Sequence, residues 1–302
     1  MENNLSDKNE NKDRKGRGVS HSKIILMGEH SVVYGYPAIA IPLKNIRMEC
    51  IVERATVPFI HNKKDTLSTA IYTALNYLNR KNENIKYKVI SDIPPKRGMG
   101  SSAAVSIAAI RGVLDYFNTE VDNLTLEKLV NEAEIIAHNT PSGLDAKTCL
   151  SDSAIKFIKN KGFKNLEMNL GAYLLIADTG IHGHTRDAIM NIKNMGGRAL
   201  PMLEKLGKLT EETEKFIEEK DVINIGKNMI SAHGELKKLG VSIEKSDVLV
   251  KTAIDEGAYG AKMSGGGLGG CIIALMESKE KAEMTGKKLM EKGAVNIWIE
   301  AL

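Results

Sequence analysis

Residues 94–110 read PPKRGMGSSAAVSIAAI, and the reading of that stretch decides the fold. Two prolines and a basic pair lead into Gly98, Met99 and Gly100. Two serines follow, then small apolar residues in a run long enough for a helix. Glycine has no Cβ, so such a loop turns tightly and lets a ligand come close to the backbone. A helix starting here would turn its unpaired N–H groups and the positive end of its dipole toward an anion. The stretch therefore reads as a phosphate cradle. It is not the common nucleotide loop G-x-x-x-x-G-K-[ST], because Ser101 stands where that loop has its lysine. Ser101 and Ser102 can cap the helix, or offer hydroxyls to a phosphate or a metal. A plain helix entrance with a serine cap would use the same residues, so the motif needs company.

Upstream, SKIILMG (residues 22–28) is a short apolar run ended by a turn signal, which predicts a buried strand. Lys23 stands at its start and Glu29-His30 at its exit. Charged groups resist burial, so that exit is either a substrate pocket or a solvated turn. Strands are also predicted from Ala38, from Ile46 and from Ile85, with a helix from Leu67 to Leu78. Downstream, Leu126, Leu129, Val130 and Ala133 mark another helix. Glu134 lies on the flank of its apolar stripe at about 100° per residue. HNTPSGLD (residues 138–145) breaks that helix and sets Asp145 in a tight loop. Two carboxylates so placed can converge. Phosphoryl transfer needs one group to hold a metal and another to orient or deprotonate the attacking hydroxyl. Mg²⁺ takes carboxylate, hydroxyl and phosphate oxygens, so Glu134 and Ser102 are candidate ligands. Taken singly, each acid also reads as a surface charge.

A strand at residues 172–178 opens a second half. Helices are expected between residues 187 and 239 and again at 246–256. A strand, a glycine loop, a strand, a helix from about residue 278 and a last strand complete it. Strand, helices, strand, strand, helix, strand is the split βαβ order of a ferredoxin-like layer with inserted helices. The charged stretch KNKGFKNLE suggests the boundary, giving domains 19–165 and 166–302 behind a polar, disordered tail, residues 1–18. The loop KMSGGGLGGC (residues 262–271) has five glycines in the six positions from 265 to 270. A hairpin needs one or two. The excess suits close approach to a ligand or to another domain; a flexible hairpin tip is the plainer reading.

Composition excludes several classes. With 42 basic and 38 acidic residues the net charge is +4, too balanced for the basic face that nucleic acid or a membrane surface requires. Aromatics at 5% argue against base stacking. Cys50, Cys149 and Cys271 form no C-x-x-C, which argues against a zinc site or disulfide scaffold and suits a cytoplasmic protein. No apolar stretch approaches 18 residues, and the amino terminus has no apolar signal segment.

Three stretches in order now carry a resemblance. They are KIILMGEHSVVYGYPAIAIPL (residues 23–43), PPKRGMGSSAA (94–104) and KMSGGGLGG (262–270). AHNTPSGLDAKT (137–148) stands between the last two. With these the chain resembles the GHMP kinase family over residues 19–302. It is most similar to members that phosphorylate mevalonate, and in detail to those of Gram-positive bacteria. The resemblance implies an α+β, two-domain GHMP kinase fold: an S5-like amino-terminal domain, a ferredoxin-like carboxy-terminal domain, and ATP between them. It implies that Asp145 is the base and that Lys23 contacts it, with Ser102 and Glu134 as Mg²⁺ ligands. It assigns ATP to Pro95, Lys96, Arg97, Gly98, Met99, Gly100, Ser101, Ser102 and Ala103, with Ser264, Gly265, Gly266 and Gly267. Glu29, His30 and Thr185 match substrate positions. The implied reaction moves the ATP γ-phosphoryl group to the C5 hydroxyl of (R)-mevalonate. Departures at Ser20, His21, Ser22 and Asn139 touch no expected catalytic side chain. A sister kinase for phosphomevalonate, a sugar or homoserine is the alternative, or a non-catalytic nucleotide sensor. No nucleic-acid or membrane partner is expected, and a homodimer is compatible with the sequence.

Overall fold

The computed structural model describes residues 14–138 and 143–302. They form two compact units. One gathers the described residues of 1–22, 43–94 and 100–150; the other holds 23–42, 95–99 and 151–302. The expected single cut is thus replaced by an interleaved path. The physical reason is strand length: β1 (Lys15–Met27) and β2 (Ala38–Arg54) each run from one unit into the other.

In the first unit, Met48–Arg54 of β2 pairs antiparallel with β3 (Ile85–Ser91). Four helices pack on one another: α1 (Thr66–Tyr77), α2 (Ser101–Tyr116), α3 (Asn123–His138) and α4 (Leu144–Leu150). α1 is capped by Asp65, whose carboxylate accepts from the Ser68 N–H at 2.8 Å. α2 is the central element. Ala103, Ala104, Ala108 and Ala109 are buried and small enough for neighbours to come close, while Ile107, Ile110 and Val113 fill the space between.

β1 begins at Lys15, so residues 15–18 are strand and not tail. The glycines that read as disorder signals are contact points with α2. A Cβ on Gly16 would stand 2.3 Å from the Gly112 carbonyl oxygen, and one on Gly18 would stand 2.0 Å from that of Ala108. Residues 1–13 of the expected tail, and residues 139–142 of the HNTPSGLD stretch, lie outside the described residues.

In the second unit, Ala38–Ala40 of β2 pairs with β4 (Ala154–Ile158), which turns into β5 (Gly162–Leu166). The stretch expected to link domains is therefore a hairpin, and the 165/166 cut falls inside β5. Its lysines and its two asparagines, Asn160 and Asn165, are exposed, which gave it a linker's polarity. What holds it is the cross-strand pair Phe157 and Phe163, with rings stacked at 4.7 Å.

The rest of this unit is built on an antiparallel sheet of order β7-β8-β6-β9. Its strands are β6 (Tyr173–Asp178), β7 (Gly260–Ser264), β8 (Cys271–Met276) and β9 (Asn296–Ala301). Between β6 and β7 run α5 (Thr185–Met195), α6 (Leu200–Glu218), α7 (Val222–Lys238) and α8 (Glu244–Asp255). α9 (Lys279–Glu291) joins β8 to β9. This is the expected ferredoxin-like order with inserted helices. Leu175, Ala177, Ile272 and Ala274 of the sheet bury against Leu249, Ala253 and Leu289 of the helices. Cys50, Cys149 and Cys271 are buried and free of disulfides. Among the described residues, no helix is long and apolar enough to cross a membrane.

Candidate active site

In the first unit the site forms at the start of α2. Gly100 is its N-cap, in the left-handed region at φ 71°. The serines do not hold the N-cap position, contrary to one of the two expected uses: that place is taken by Gly100, which has no side chain, and Ser101 and Ser102 are the first helical residues. The Ser102 hydroxyl donates instead to Glu134 Oε1 at 2.9 Å. Ser106, one turn on, donates to the same oxygen at 3.1 Å. α3 thus delivers a carboxylate, 6% exposed, to the start of α2. Asp145 is half-buried in the first turn of α4, where the helix dipole favours a negative charge. α4 packs on both α2 and α3, so the elements carrying Ser102, Glu134 and Asp145 form one cluster. Ala103 is buried, which leaves its backbone as the part able to meet a nucleotide.

In the second unit, Lys23 is 2% exposed, with its Nζ donating to the Gly98 carbonyl at 3.3 Å. Its main-chain N–H donates to the Met99 carbonyl at 3.2 Å. Beyond the strand, Gly28 at φ 95° turns the chain; a Cβ there would stand 2.4 Å from the Pro37 carbonyl oxygen. Glu29 is fully buried and hydrogen-bonded to the equally buried Lys262. Burial pushes the carboxyl pKa up and the ammonium pKa down, and each partner's charge opposes the other's shift.

His30 follows at φ 61°, a rare conformation for a residue with a side chain. Its ring is hydrogen-bonded to the backbone of Gly266, and burial holds its pKa at about 4, so it is neutral at pH 7. Among the described residues, His30 Nε2 and Glu29 Oε2 are both buried with no hydrogen-bond partner. The bond to Gly266 raises the pKa, as a bond donated by the ring does, so the proton is assigned to the nitrogen that makes it and Nε2 is left as an acceptor. Two adjacent residues present unsatisfied acceptors, a cost of about 1–3 kcal/mol each unless a ligand supplies the donors.

The second glycine loop closes on these groups. A Cβ on Gly266 would stand 1.8 Å from Thr185 Oγ1, so only glycine admits Thr185 there. The Ser264 hydroxyl donates to the Ile25 carbonyl at 2.8 Å. Gly98 packs on Gly265: a Cβ on Gly265 would stand 2.9 Å from Gly98 Cα. Pro95 and Lys96 are exposed. Arg97, expected against the nucleotide, turns its guanidinium to Asp178 at 2.7 Å instead.

Sequence reasoning missed Lys262 and Asp178. Each had a signal: a lysine inside an apolar strand and an aspartate ending one, both needing partners of opposite charge. Among the described residues, no group of three or more His, Cys, Asp or Glu is placed to hold a metal. The hard-oxygen pair Ser102 and Glu134 suits Mg²⁺, which keeps much of its shell as water and phosphate.

Residues 68–152 match the model of the GHMP kinases N terminal domain, and residues 213–293 that of the GHMP kinases C terminal domain. The mevalonate kinase of Pyrococcus furiosus is 32% identical, over 89% of this chain and 91% of that protein. The chain belongs to the GHMP kinase family. It is thus an ATP-dependent phosphotransferase. The crystal structure of the mevalonate kinase from Staphylococcus aureus MRSA252 superposes with a TM-score of 0.78 at 29% identity, over 96% of this chain and 99% of that one. The L. major mevalonate kinase solved with R-mevalonate shares the fold, with a TM-score of 0.84 at 24% identity, over 94% of each chain. Archaeal and staphylococcal relatives stand at similar identity, so the Gram-positive likeness takes no precedence within this GHMP kinase.

Proposed function

We propose that this kinase transfers the γ-phosphoryl group of ATP to the C5 hydroxyl of (R)-mevalonate, giving (R)-5-phosphomevalonate and ADP. The observation that carries the acceptor is the pair of buried, unpartnered acceptors, Glu29 Oε2 and His30 Nε2. A buried acceptor asks for a donor, and mevalonate has a C3 hydroxyl to supply one while its C5 hydroxyl stays free to react. A phosphorylated acceptor would bring more negative charge toward the Glu29 carboxylate. The likeness to mevalonate kinases along nearly the whole chain supports the same choice.

Chemistry follows from the residues. The C5 hydroxyl gives its proton to the Asp145 carboxylate as its oxygen attacks the γ-phosphorus. The bond to the bridging oxygen breaks and ADP leaves. The backbone N–H groups opening α2 meet the phosphate oxygens, behind an N-cap, Gly100, that has no side chain. Lys23 supplies positive charge during transfer. Ser102 and Glu134 would hold Mg²⁺, which when bound neutralises charge on the phosphate oxygens. Thr185 and the glycines of the second loop shape the wall beside His30.

The test is ADP release by the purified protein with a panel of alcohols: mevalonate, phosphomevalonate, galactose and homoserine. Turnover on the order of 1–100 s⁻¹ with mevalonate is expected, the usual range for kinases, and background rates with the rest. Turnover on another alcohol with mevalonate inert overturns the acceptor assignment.

A further inference from the structure

Arg97 lies inside the first glycine loop, where an arginine would ordinarily be read as a phosphate ligand. Its guanidinium is fully engaged elsewhere. Nε faces the Asp178 carboxylate at 2.7 Å from Oδ1 and 2.9 Å from Oδ2. Nη1 meets His182 Nδ1 at 2.8 Å, and Nη2 donates to the Gly180 carbonyl at 3.1 Å. The Arg97 side chain is 11% exposed and that of Asp178 is 4% exposed. All three nitrogens have partners, and the positive charge is neutralised where it stands.

Asp178 is a firm anchor. It is the last residue of β6, an inner strand of the sheet, paired with Cys271 of β8 on one side and Asn296 of β9 on the other. Its Oδ1 also accepts from the Gly180 N–H at 2.8 Å, which fixes the carboxylate's own orientation. The backbone repeats the connection: the Gly183 N–H donates to the Lys96 carbonyl at 2.9 Å. The second glycine loop hangs from the same strand end. The Thr179 hydroxyl donates to the Gly270 carbonyl at 2.7 Å, and the Gly270 N–H donates to the Ile181 carbonyl at 2.8 Å.

A loop with glycines at φ 78° and 71° has many shapes open to it, and each must be excluded before ATP binds. We infer that Arg97 and Asp178 are a positioning pair that holds the first glycine loop in its ATP-binding shape, Arg97 acting through Asp178 and not on the phosphates. The rigid planar fork matters here, because a lysine ammonium cannot reach three partners in different directions. The inference rests on residues 95–103 being the ATP loop, and the test separates the two ideas.

Steady-state kinetics on the full chain would compare Asp178→Asn, Arg97→Gln, their double variant, Arg97→Lys and Ser102→Ala. Each single change at the pair is expected to raise KM for ATP about 10-fold, the scale of a charged hydrogen bond. KM for mevalonate should hold. The double variant should be no worse than the poorer single variant, and Arg97→Lys should not rescue. A normal ATP KM in Asp178→Asn beside a large loss in Arg97→Gln makes Arg97 a direct ligand and overturns the inference. Normal values in both overturn it as well. If Ser102→Ala also leaves ATP KM unchanged, the ATP-loop reading has failed instead. Hydrogen exchange of the peptide spanning residues 95–103, taken below the melting temperature, covers poorly stable variants. Faster exchange in Arg97→Gln supports the pair, and unchanged exchange refutes it.

Discussion

Lys262 and Glu29, 233 positions apart in the chain, bury their charges wholly against each other. Breaking a buried pair leaves one charge without compensation, which costs about 3–5 kcal/mol, whereas removing both partners is far milder. Lys262→Met should therefore destabilise the protein by that amount at pH 7 in urea unfolding. Lys262→Met with Glu29→Gln should recover most of it while remaining inactive on mevalonate. Burial already pushes the Glu29 pKa up, so with the lysine gone the carboxyl takes a proton more readily and the cost shrinks toward acidic pH. A single variant as stable as the wild type would mean that water reaches the pair.

Asp145 is predicted to matter for turnover and not for nucleotide binding. Asp145→Asn keeps the shape at the start of α4 but removes the acceptor for the hydroxyl proton. A loss in kcat of at least ~10²-fold is expected, the lower range for acid–base catalysis, with KM for ATP within a few-fold. Turnover near normal in that variant would remove Asp145 from the reaction.

Glu134 and Ser106 share one hydrogen bond but should behave differently. Glu134→Gln keeps the acceptor for the Ser102 and Ser106 hydroxyls and loses the charge that a hard cation requires. The Mg²⁺ concentration for half-maximal activity should rise about 10-fold or more, the effect of losing roughly 1.4 kcal/mol of binding. Ser106→Ala touches the same oxygen from deeper in α2 and should leave the Mg²⁺ dependence in place. Equal shifts in both variants would point to packing around Glu134 and not to metal ligation.

The parts of this structure that repeat a local rule were legible in the sequence. Glu134 and Ser102 could be paired because one lies on a helix flank and the other at a helix entrance. The ferredoxin-like order followed from the succession of strand and helix signals. What stayed hidden depends on partners far away in the chain. Gly16 and Gly18 carry the composition of a tail, and only the surface of α2 beside them explains their small size. The β4–β5 hairpin looked like a linker because its sheet is supplied by β2, more than a hundred residues earlier. Arg97 looked like a phosphate ligand because nothing nearby announces Asp178 as its partner.

Gly18 gives a direct test of the corrected strand boundary. Its Cβ would enter the α2 backbone, with 2.2 Å to the Gly112 nitrogen as well as 2.0 Å to the Ala108 oxygen. Backbone atoms cannot swing aside, so Gly18→Ala should cost about 1–3 kcal/mol, the usual range for overpacking. Gly197 is the control: it has open space around it, and alanine there should be neutral or slightly stabilising. Thermal melts of the two variants decide the matter, and equal melting temperatures would detach residues 15–18 from α2.

His30 makes stability depend on pH in a direction that can be worked out. Its folded pKa is about 4, held down first by burial, against 6.5 in the unfolded chain. Between those values the unfolded state binds the proton and the folded state does not. Stability from this group is therefore complete above about pH 6.5 and is lost as pH falls toward 4. Glu29, with its pKa raised, works the other way and must be cancelled. The measurement is urea unfolding of the wild type and of His30→Asn from pH 7.5 to 4.5, taking the difference at each pH. Asparagine tolerates positive φ and carries no titrating group. The wild type should lose roughly 2 to 3 kcal/mol relative to the variant across that range, from 1.36 kcal/mol per pKa unit. Substrate sharpens the test. A mevalonate hydroxyl donating to neutral Nε2 favours the uncharged ring, so saturating mevalonate should lower the His30 pKa further and carry the folded protein to more acidic pH. A pH-independent difference between the two proteins would mean that the ring is solvated, and the acceptor pocket would then have to be sought elsewhere.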